Sequence, residues 1–438
     1  MRCALACMVV VAIPAAAHAD AKMLKGPYLQ DLAPTSITVM WELESKAQAR
    51  LVVDGPGGER VHEVAAARIA EASITGLTPA SRYRYRVEVG EQVWNGEFAT
   101  APTIGTEVPF SFVVVGDTRY SVDAHRRVVE RIAQEVPDFV LGTGDMVDEG
   151  HRQDQWQQFF DVENPLLRDN VYFPAVGNHD RQGRGRTADT YRAYFSVPEN
   201  GGDSERYYAF SYATSRFLIL DSNESSFALT DQTAWLEREL IAARQDPAIR
   251  LIFVVMHHPP FSISLHGGNR DLRERWTPLF EAYDVTAVFS GHDHVYSRAE
   301  HNNVHYFVSG GGGAPLYPRR PKSHPIDLAA VKKFERVHHF LRVTITGHRV
   351  EVTGVRADGT TIETAAWSVA TAKPAAAPTA AMGVAGAAAP KPAAAPLPVA
   401  AIAAAPAEPE SGGVLWVTLA AVTALLGAAL VVVRTLRR

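Results

Sequence analysis

The chain has 438 residues, 47% hydrophobic and 21% charged, enough for two or three domains with a sizeable core. Its 43 Lys and Arg stand against 48 Asp and Glu, a formal charge of -5 at pH 7. There is no basic excess of the kind nucleic-acid binding depends on, so no nucleic-acid partner is expected.

The first 19 residues run from Met1-Arg2 through the apolar Val9, Val10, Val11 and Ile13 to Ala17-His18-Ala19, the pattern of a secretory signal peptide cleaved after Ala19. Both cysteines, Cys3 and Cys7, fall inside it. The mature chain then lacks thiols, which excludes disulfides, thiolate metal ligands and cysteine nucleophiles.

Residues 25–101 alternate apolar and polar side chains in short runs, such as Ser36 to Trp41 and Tyr83 to Val87, with a turn at Asp54-Gly55-Pro56-Gly57-Gly58. This predicts a small all-β sandwich. The segment Leu77 to Tyr85 looks like the tyrosine corner of fibronectin type III and related sandwiches.

Residues 108–368 change pattern. Near-continuous apolar runs at Phe112–Val115, Phe139–Gly142, Val171–Val176, Phe217–Leu220, Leu251–Met256 and Val285–Ser290 alternate with helical stretches from about Ala124 and around Trp235 to Arg244. Buried strands interleaved with helices predict an α/β domain, closed by a hairpin, His339 to Thr346 and Arg349 to Val355, turning at Gly347.

Residues 370–411 are dominated by Ala and Pro without apolar periodicity, which predicts an extended, unfolded stalk. Residues 414–433 are uncharged and mostly apolar, long enough for a single transmembrane helix. Arg434, Arg437 and Arg438 follow, so the C-terminus is expected in the cytoplasm and the folded part outside, in the periplasm or at the cell surface. Ser411-Gly412-Gly413 ahead of the span also resembles a GlyGly-CTERM sorting tail, which implies removal of the span after export as the alternative to a permanent anchor.

Five polar clusters follow apolar strands in the α/β region: Gly116-Asp117-Thr118-Arg119, Gly144-Asp145, Gly177-Asn178-His179-Asp180, His257-His258-Pro259-Pro260 and Gly291-His292-Asp293-His294. Open α/β sheets build their sites at the C-terminal ends of strands. One such cluster is commonly a turn; five in succession point to a shared site. Carboxylate, amide and imidazole suit hard or borderline metal ions, and two ions about 3.5–4 Å apart need one bridging carboxylate. Glycines ahead of the polar residues allow sharp turns and close approach.

This order of motifs resembles the calcineurin-like metallophosphoesterases. The opening Gly26-Pro27-Tyr28-Leu29-Gln30 and Thr35 to Trp41 place the resemblance on the purple acid phosphatase branch. The resemblance implies a four-layer α-β-β-α domain and two metal ions (Fe, Mn or Zn). It also implies hydrolysis of a phosphorylated small molecule or polymer by water activated between the metals, with phosphomonoesters favoured. A phosphodiesterase or nucleotide hydrolase of the same fold, and a surface-displayed binding protein with a degenerate site, are the alternatives.

Carried over by position, the resemblance makes Asp117 and His294 ligands of the first metal and Asn178, His257 and His292 ligands of the second, with Asp145 bridging. His179 is then the catalytic histidine that assists the leaving oxygen, and Asp180 orients its ring. His257 rather than His258 fits the family's His-x-Pro spacing, leaving His258 behind the ligands or toward the substrate.

Two departures stand out. Arg119 replaces the His of the usual D-x-H motif, and Asp148 replaces the Tyr ligand found three residues after the bridging Asp. The first metal thus lacks a fourth protein ligand, and an open position, Asp148 or His125 are the alternatives. Without that Tyr, no tyrosinate-to-iron charge transfer is expected. Arg119, a planar always-charged fork, is expected to clamp the phosphoryl group. His266 is a further candidate substrate contact, and Tyr120 either reaches the substrate or packs. Arg181, Arg184 and Arg186 suggest either an anionic substrate or a solvated loop, and the glycine run Ser309 to Gly313 is expected to bring backbone to the site.

Overall fold

The computed structural model describes residues 21–182, 187–201, 205–223 and 230–370. The signal segment, the stalk beyond residue 370, the apolar run 414–433, and Arg184 and Arg186 lie outside the described residues. Among the described residues no helix is long and apolar enough to cross a membrane.

The N-terminal unit is all β, as expected: β1 (Met23–Gln30), β2 (Ser36–Asp54), β3 (Arg60–Thr75), β4 (Arg82–Val89) and β5 (Gln92–Ala99). All five join one hydrogen-bonded sheet, because β2 is long enough to serve both halves. It pairs with β1 along Thr38 to Leu43 and with β4 along Arg50 to Asp54, and its ladder to β3 shifts register between Glu42 and Ala49. Alternate residues Ile37, Val39, Trp41 and Leu43 are buried with Leu51, Val53, Tyr83, Val87 and Phe98, the period-2 pattern made structural. The tyrosine corner is present: Thr78 N–H donates to Tyr83 Oη at 2.8 Å.

The second part contains β6 (Phe110–Val115), α1 (Val122–Ala133), β7 (Phe139–Gly142), α2 (Gln153–Leu167), β8 (Val171–Pro174), α3 (Asp189–Tyr194), β9 (Tyr208–Tyr212) and β10 (Ser215–Leu220). It continues with α4 (Thr230–Gln245), β11 (Leu251–Met256), α5 (Arg270–Arg275), α6 (Thr277–Ala282), β12 (Ala287–Ser290), β13 (Tyr296–His301) and β14 (Val304–Ser309). The last elements are α7 (Pro325–Ala330), β15 (Val331–Glu335), β16 (His339–Thr346), β17 (Arg349–Arg356) and β18 (Thr361–Ser368). One sheet has the order β18-β17-β16-β6-β7-β8 and the other β15-β13-β14-β12-β11-β10-β9.

Alternation along each strand explains the layering. Phe112, Phe139, Phe173, Phe210, Phe217, Phe253 and Phe289 share one core between the sheets, with Phe112 and Phe139 stacked at 5.2 Å and Phe112 edge-on to Phe217 at 5.3 Å. Residues facing the other way, Val113, Val115, Val140 and Tyr172, pack on Val128, Ile132, Trp156 and Phe160 of α1 and α2. On the second sheet Leu218, Leu220, Ile252, Val254 and Met256 pack on Leu236, Leu240 and Phe280 of α4 and α6. The α-β-β-α order therefore follows from strands apolar on both faces, and Phe139→Ala in its centre is expected to cost about 3–5 kcal/mol.

The two parts are tied together. Tyr28 Oη donates to Tyr194 O at 2.8 Å and Tyr85 Oη to Arg168 O at 2.7 Å. Tyr28 and Met40 of the N-terminal sheet also join the core under α2. This holds the β8 side of that sheet, and the loop after β8 carries Asn178 and His179.

Candidate metal centre

Strands β6, β7, β8, β11 and β12 each end in one of the five polar clusters, and the clusters converge. The turns are tight. Asp117, Asp145 and His292 have φ of +56°, +57° and +66°, a left-handed conformation that costs non-glycine residues of order 1–3 kcal/mol each and is held here by the surrounding structure. Two glycines permit the approach: a Cβ on Gly177 would fall 2.2 Å from Asp145 Oδ1, and one on Gly291 2.4 Å from Asp117 Oδ2.

The second donor set is compact. Asn178 Oδ1 lies 3.0 Å from His257 Nε2 and 3.1 Å from His292 Nδ1, and Asp145 Oδ1 lies 3.3 Å from His257 Nε2. His257 Nδ1 faces Thr143 O at 2.8 Å, which turns Nε2 toward the other donors. Burial works against the His257 charge, yet the Asp145 carboxylate raises its pKa above the ordinary imidazole value. Burial likewise opposes the Asp145 charge, but His257 and Arg119 hold its carboxyl well below the usual range.

The first set is Asp117, Asp145 and His294, each offering a ligand atom within 4.8 Å of the others. His294 Nδ1 faces Pro315 O at 2.7 Å, which leaves Nε2 3.4 Å from Asp117 Oδ1. Asp117 Oδ1 and Asp145 Oδ2 are buried without a hydrogen-bond partner. Buried carboxylate oxygens without a hydrogen-bond partner beside an imidazole nitrogen suit a cation, and at Asp145 Oδ2 one is already near, Arg119 Nε at 3.2 Å. The six expected ligands are thus brought together, and both sets fit a metal ion.

His257 Nε2 lies against Asp145 and Asn178, while His258 also offers a ligand atom within 4.8 Å of those of His257 and His292. His258 Nδ1 is 3.0 Å from Ser222 Oγ and its ring lies 4.3 Å from that of His292; burial and then His257 push its pKa down to about 3. His266 stands over the same ligand, its ring 4.3 Å from His292, with Nδ1 held 3.1 Å from Asp293 Oδ1. His179 is 32% exposed at the rim, its Nε2 4.0 Å from Asp145 Oδ2.

Asp180 corrects the expectation. It is fully buried, and its carboxylate accepts backbone N–H groups from Gly177 at 2.7 Å, Asp145 and Met146 at 2.8 Å and Val147 at 3.3 Å. The His179 ring is held instead by Asp148, whose carbonyl oxygen is 2.7 Å from Nδ1. Asp180 therefore braces the two ligand loops and does not orient the ring. Burial and then Asp145 push its pKa up to about 7, against the N–H donors that favour its charged form.

Arg119 corrects a second expectation. The phosphoryl clamp needs a free fork, but the guanidinium is 7% exposed and committed to protein groups. Nη1 donates to Asp148 Oδ1 at 2.8 Å, Nε lies 3.2 Å from Asp145 Oδ2 and Nη2 3.4 Å from His294 Nε2. Of the candidate fourth ligands, Asp148 is engaged by Arg119, and His125 is turned away, its Nε2 2.8 Å from Glu163 Oε1. Tyr120, at φ +71° and 59% exposed, lays its ring over Arg119 at 4.9 Å.

The glycine run does reach the site: Gly312 N–H donates to Gly116 O at 2.9 Å and Ala314 N–H to Asp117 O at 2.8 Å. Sequence reasoning missed Tyr317, which stacks on His294 with ring centres 3.9 Å apart and meets His266 edge-on at 5.2 Å. It belongs to no motif, and only its place after the glycine run hinted at it. Arg181 donates to Asn223 O at 3.1 Å.

Residues 110–296 match the family model described as calcineurin-like phosphoesterase. An uncharacterized protein of Mycobacterium tuberculosis is 30% identical over 273 residues, 53% of this chain and 51% of the relative. The purple acid phosphatase of Glycine max is 26% identical over 339 residues, 68% of this chain and 69% of the relative. Among solved structures, a purple acid phosphatase from yellow lupin (Lupinus luteus) seeds superposes with a TM-score of 0.67 at 18% identity, covering 78% of this chain and 74% of that one, which shows a shared fold. The chain spans about half the length of the mycobacterial relatives it matches. With the family match, the phosphatase relatives and the converging donor sets in place, residues 110–296 form a calcineurin-like phosphoesterase domain, and the chain is similar to the purple acid phosphatases.

Proposed function

We propose that this protein is an extracytoplasmic phosphoesterase that holds two metal ions and hydrolyses phosphate monoesters of small molecules. The observation that carries the reading is Asp145, which belongs to both donor groups: Oδ1 lies 3.3 Å from His257 Nε2 of the second set, and the same carboxylate offers a ligand atom within 4.8 Å of those of Asp117 and His294. A degenerate site would have scattered donors, whereas these six converge even though the first set has lost two positions of the family pattern. Relatives named as phosphatases, the purple acid phosphatase of Glycine max and a phosphoenolpyruvate phosphatase of Allium cepa that is 26% identical over 266 residues, support the ester class.

Iron, manganese or zinc suits the donors, and such ions would supply Lewis acidity that neutralises phosphoryl oxygens and acidifies water. The chain's own residues do the rest. Asp145 fixes the spacing of the two sets, and Asp180 holds the loops that carry it. His179, anchored at Nδ1 by Asp148 O, turns Nε2 toward Asp145 and the rim, where it gives the leaving oxygen a hydrogen bond or proton. His266, half exposed above His292, lines the side from which substrate enters.

Export rests on the signal-like residues 1–19, and membrane anchoring on residues 414–433 with the arginines that follow, the C-terminus being cytoplasmic unless the span is removed. The test is hydrolysis of p-nitrophenyl phosphate against bis(p-nitrophenyl) phosphate by metal-loaded protein. Faster turnover of the monoester is expected. Preference for the diester would overturn the substrate assignment.

A further inference from the structure

We infer that Arg119 is a resident cation that competes with the first metal ion, so that the two sites fill unequally: the Asn178, His257 and His292 set first and tightly, the Asp117 and His294 set later and reversibly. This rests on the two-metal reading above. The first set would offer His294 Nε2, which lies 3.4 Å from Asp117 Oδ1, together with the carboxylate oxygens Asp117 Oδ1 and Asp145 Oδ2, neither of which has a hydrogen-bond partner. The guanidinium faces two of the three, with Nε 3.2 Å from Asp145 Oδ2 and Nη2 3.4 Å from His294 Nε2.

Arginine stays protonated across the accessible pH range, so its charge cannot be titrated away to make room. Asp148 anchors the fork at 2.8 Å, from the chain position where the family's tyrosine ligand stands. The two departures from the family pattern are therefore one device: a ligand pair has become an ion pair that directs positive charge at the first site. The second set shows the opposite arrangement, its donors facing one another at 3.0–3.3 Å around Asp145 Oδ1. It also has four protein donors against three.

The fork has somewhere to go. A cavity of about 190 Å³ is lined in part by Arg119 itself, with Thr118, Tyr120, His125, Asp148, Gln155 and Gln158 among its other walls. When an ion enters the first site, Arg119 can withdraw toward Gln155 and Gln158 without leaving Asp148. Metal occupancy of the first site then tracks free metal concentration, while the second site stays filled.

The test uses the full chain stripped by chelation and titrated with Mn²⁺ under equilibrium dialysis, with bound metal measured by elemental analysis. The expected result is one tight and one weak class of site, with the weak class tightening by about tenfold or more in Arg119→Met and the tight class unchanged. Arg119→Gln, which keeps a hydrogen bond toward Asp148, serves the same purpose should the Met variant fail to fold. Two classes of equal affinity, or a weak class unmoved in the folded variant, would overturn the competition while leaving the two-metal reading intact. No bound Mn²⁺ in any of these proteins would overturn both.

Discussion

Asp180 accepts the backbone N–H of Asp145 at 2.8 Å, so a residue next to the rim histidine in sequence in fact fixes the bridging carboxylate from behind. Three more backbone N–H groups, from Gly177, Met146 and Val147, share that carboxylate. Asp180→Asn puts an amide N–H₂ against these donors and is expected to cost about 2–4 kcal/mol, since hydrogen bonds to a buried charged group are worth about 1.5–3 kcal/mol and unpaired donors add a penalty. Urea unfolding measures it. A loss below about 0.5 kcal/mol would show that the loops hold their shape without Asp180.

Asp145→Asn removes charge from both donor sets at once and is expected to lower kcat/KM at least about a thousandfold, whereas Arg119→Ala, which touches only the first set, falls far short of that. Parallel kinetics at saturating Mn²⁺ decide the point. Equal losses would contradict the roles given to the two residues.

His179 should matter most where the leaving oxygen is a poor one. His179→Ala is expected to slow an alkyl phosphate by about a hundredfold or more and p-nitrophenyl phosphate much less, because nitrophenolate leaves without a proton. The comparison is of kcat on the two esters in one variant. A uniform loss across leaving groups would assign His179 to binding instead.

Glu205 gives a pH dependence unrelated to catalysis. Burial, then Glu71 and Glu199, push its pKa up to about 7. An acid whose folded pKa lies above its unfolded value of about 4.3 contributes stability that is present at low pH and lost as pH rises through about 7. Glu205→Gln should therefore stabilise the protein by about 1 kcal/mol at pH 8, a figure discounted for partial exposure, and by less at pH 5. Urea midpoints at the two pH values test this; the same change at both would contradict it.

Much of the fold was legible because buried strands leave runs such as Leu251 to Met256 and Phe139 to Gly142, whose observed bounds coincide with those read from sequence. The ligands were legible for the same reason: each ends a strand and follows a short polar turn. Helix α2 was missed, although Trp156, Phe159, Phe160 and Leu167 bury one face, because Pro165 and a polar opening interrupt its pattern. Strands β9, β13, β15 and β18 were missed too; β15 and β18 expose much of their length and lack the continuous apolar run used as the signal. Within the site, what escaped was direction. Adjacent residues His179 and Asp180 point to opposite sides of one turn, and Arg119 meets Asp148 across 29 positions, which no local pattern encodes. Tyr317 reaches His294 through a loop whose course depends on the glycine run.

The central claim is a pair of metal sites joined through Asp145, and the most direct test is metal content by elemental analysis of the full chain at saturating Mn²⁺, Fe²⁺ or Zn²⁺, with p-nitrophenyl phosphate hydrolysis followed on the same samples. The account predicts about two ions per chain with turnover, and loss of both on Asp145→Ala. Trace metal and no turnover under every loading condition would contradict it.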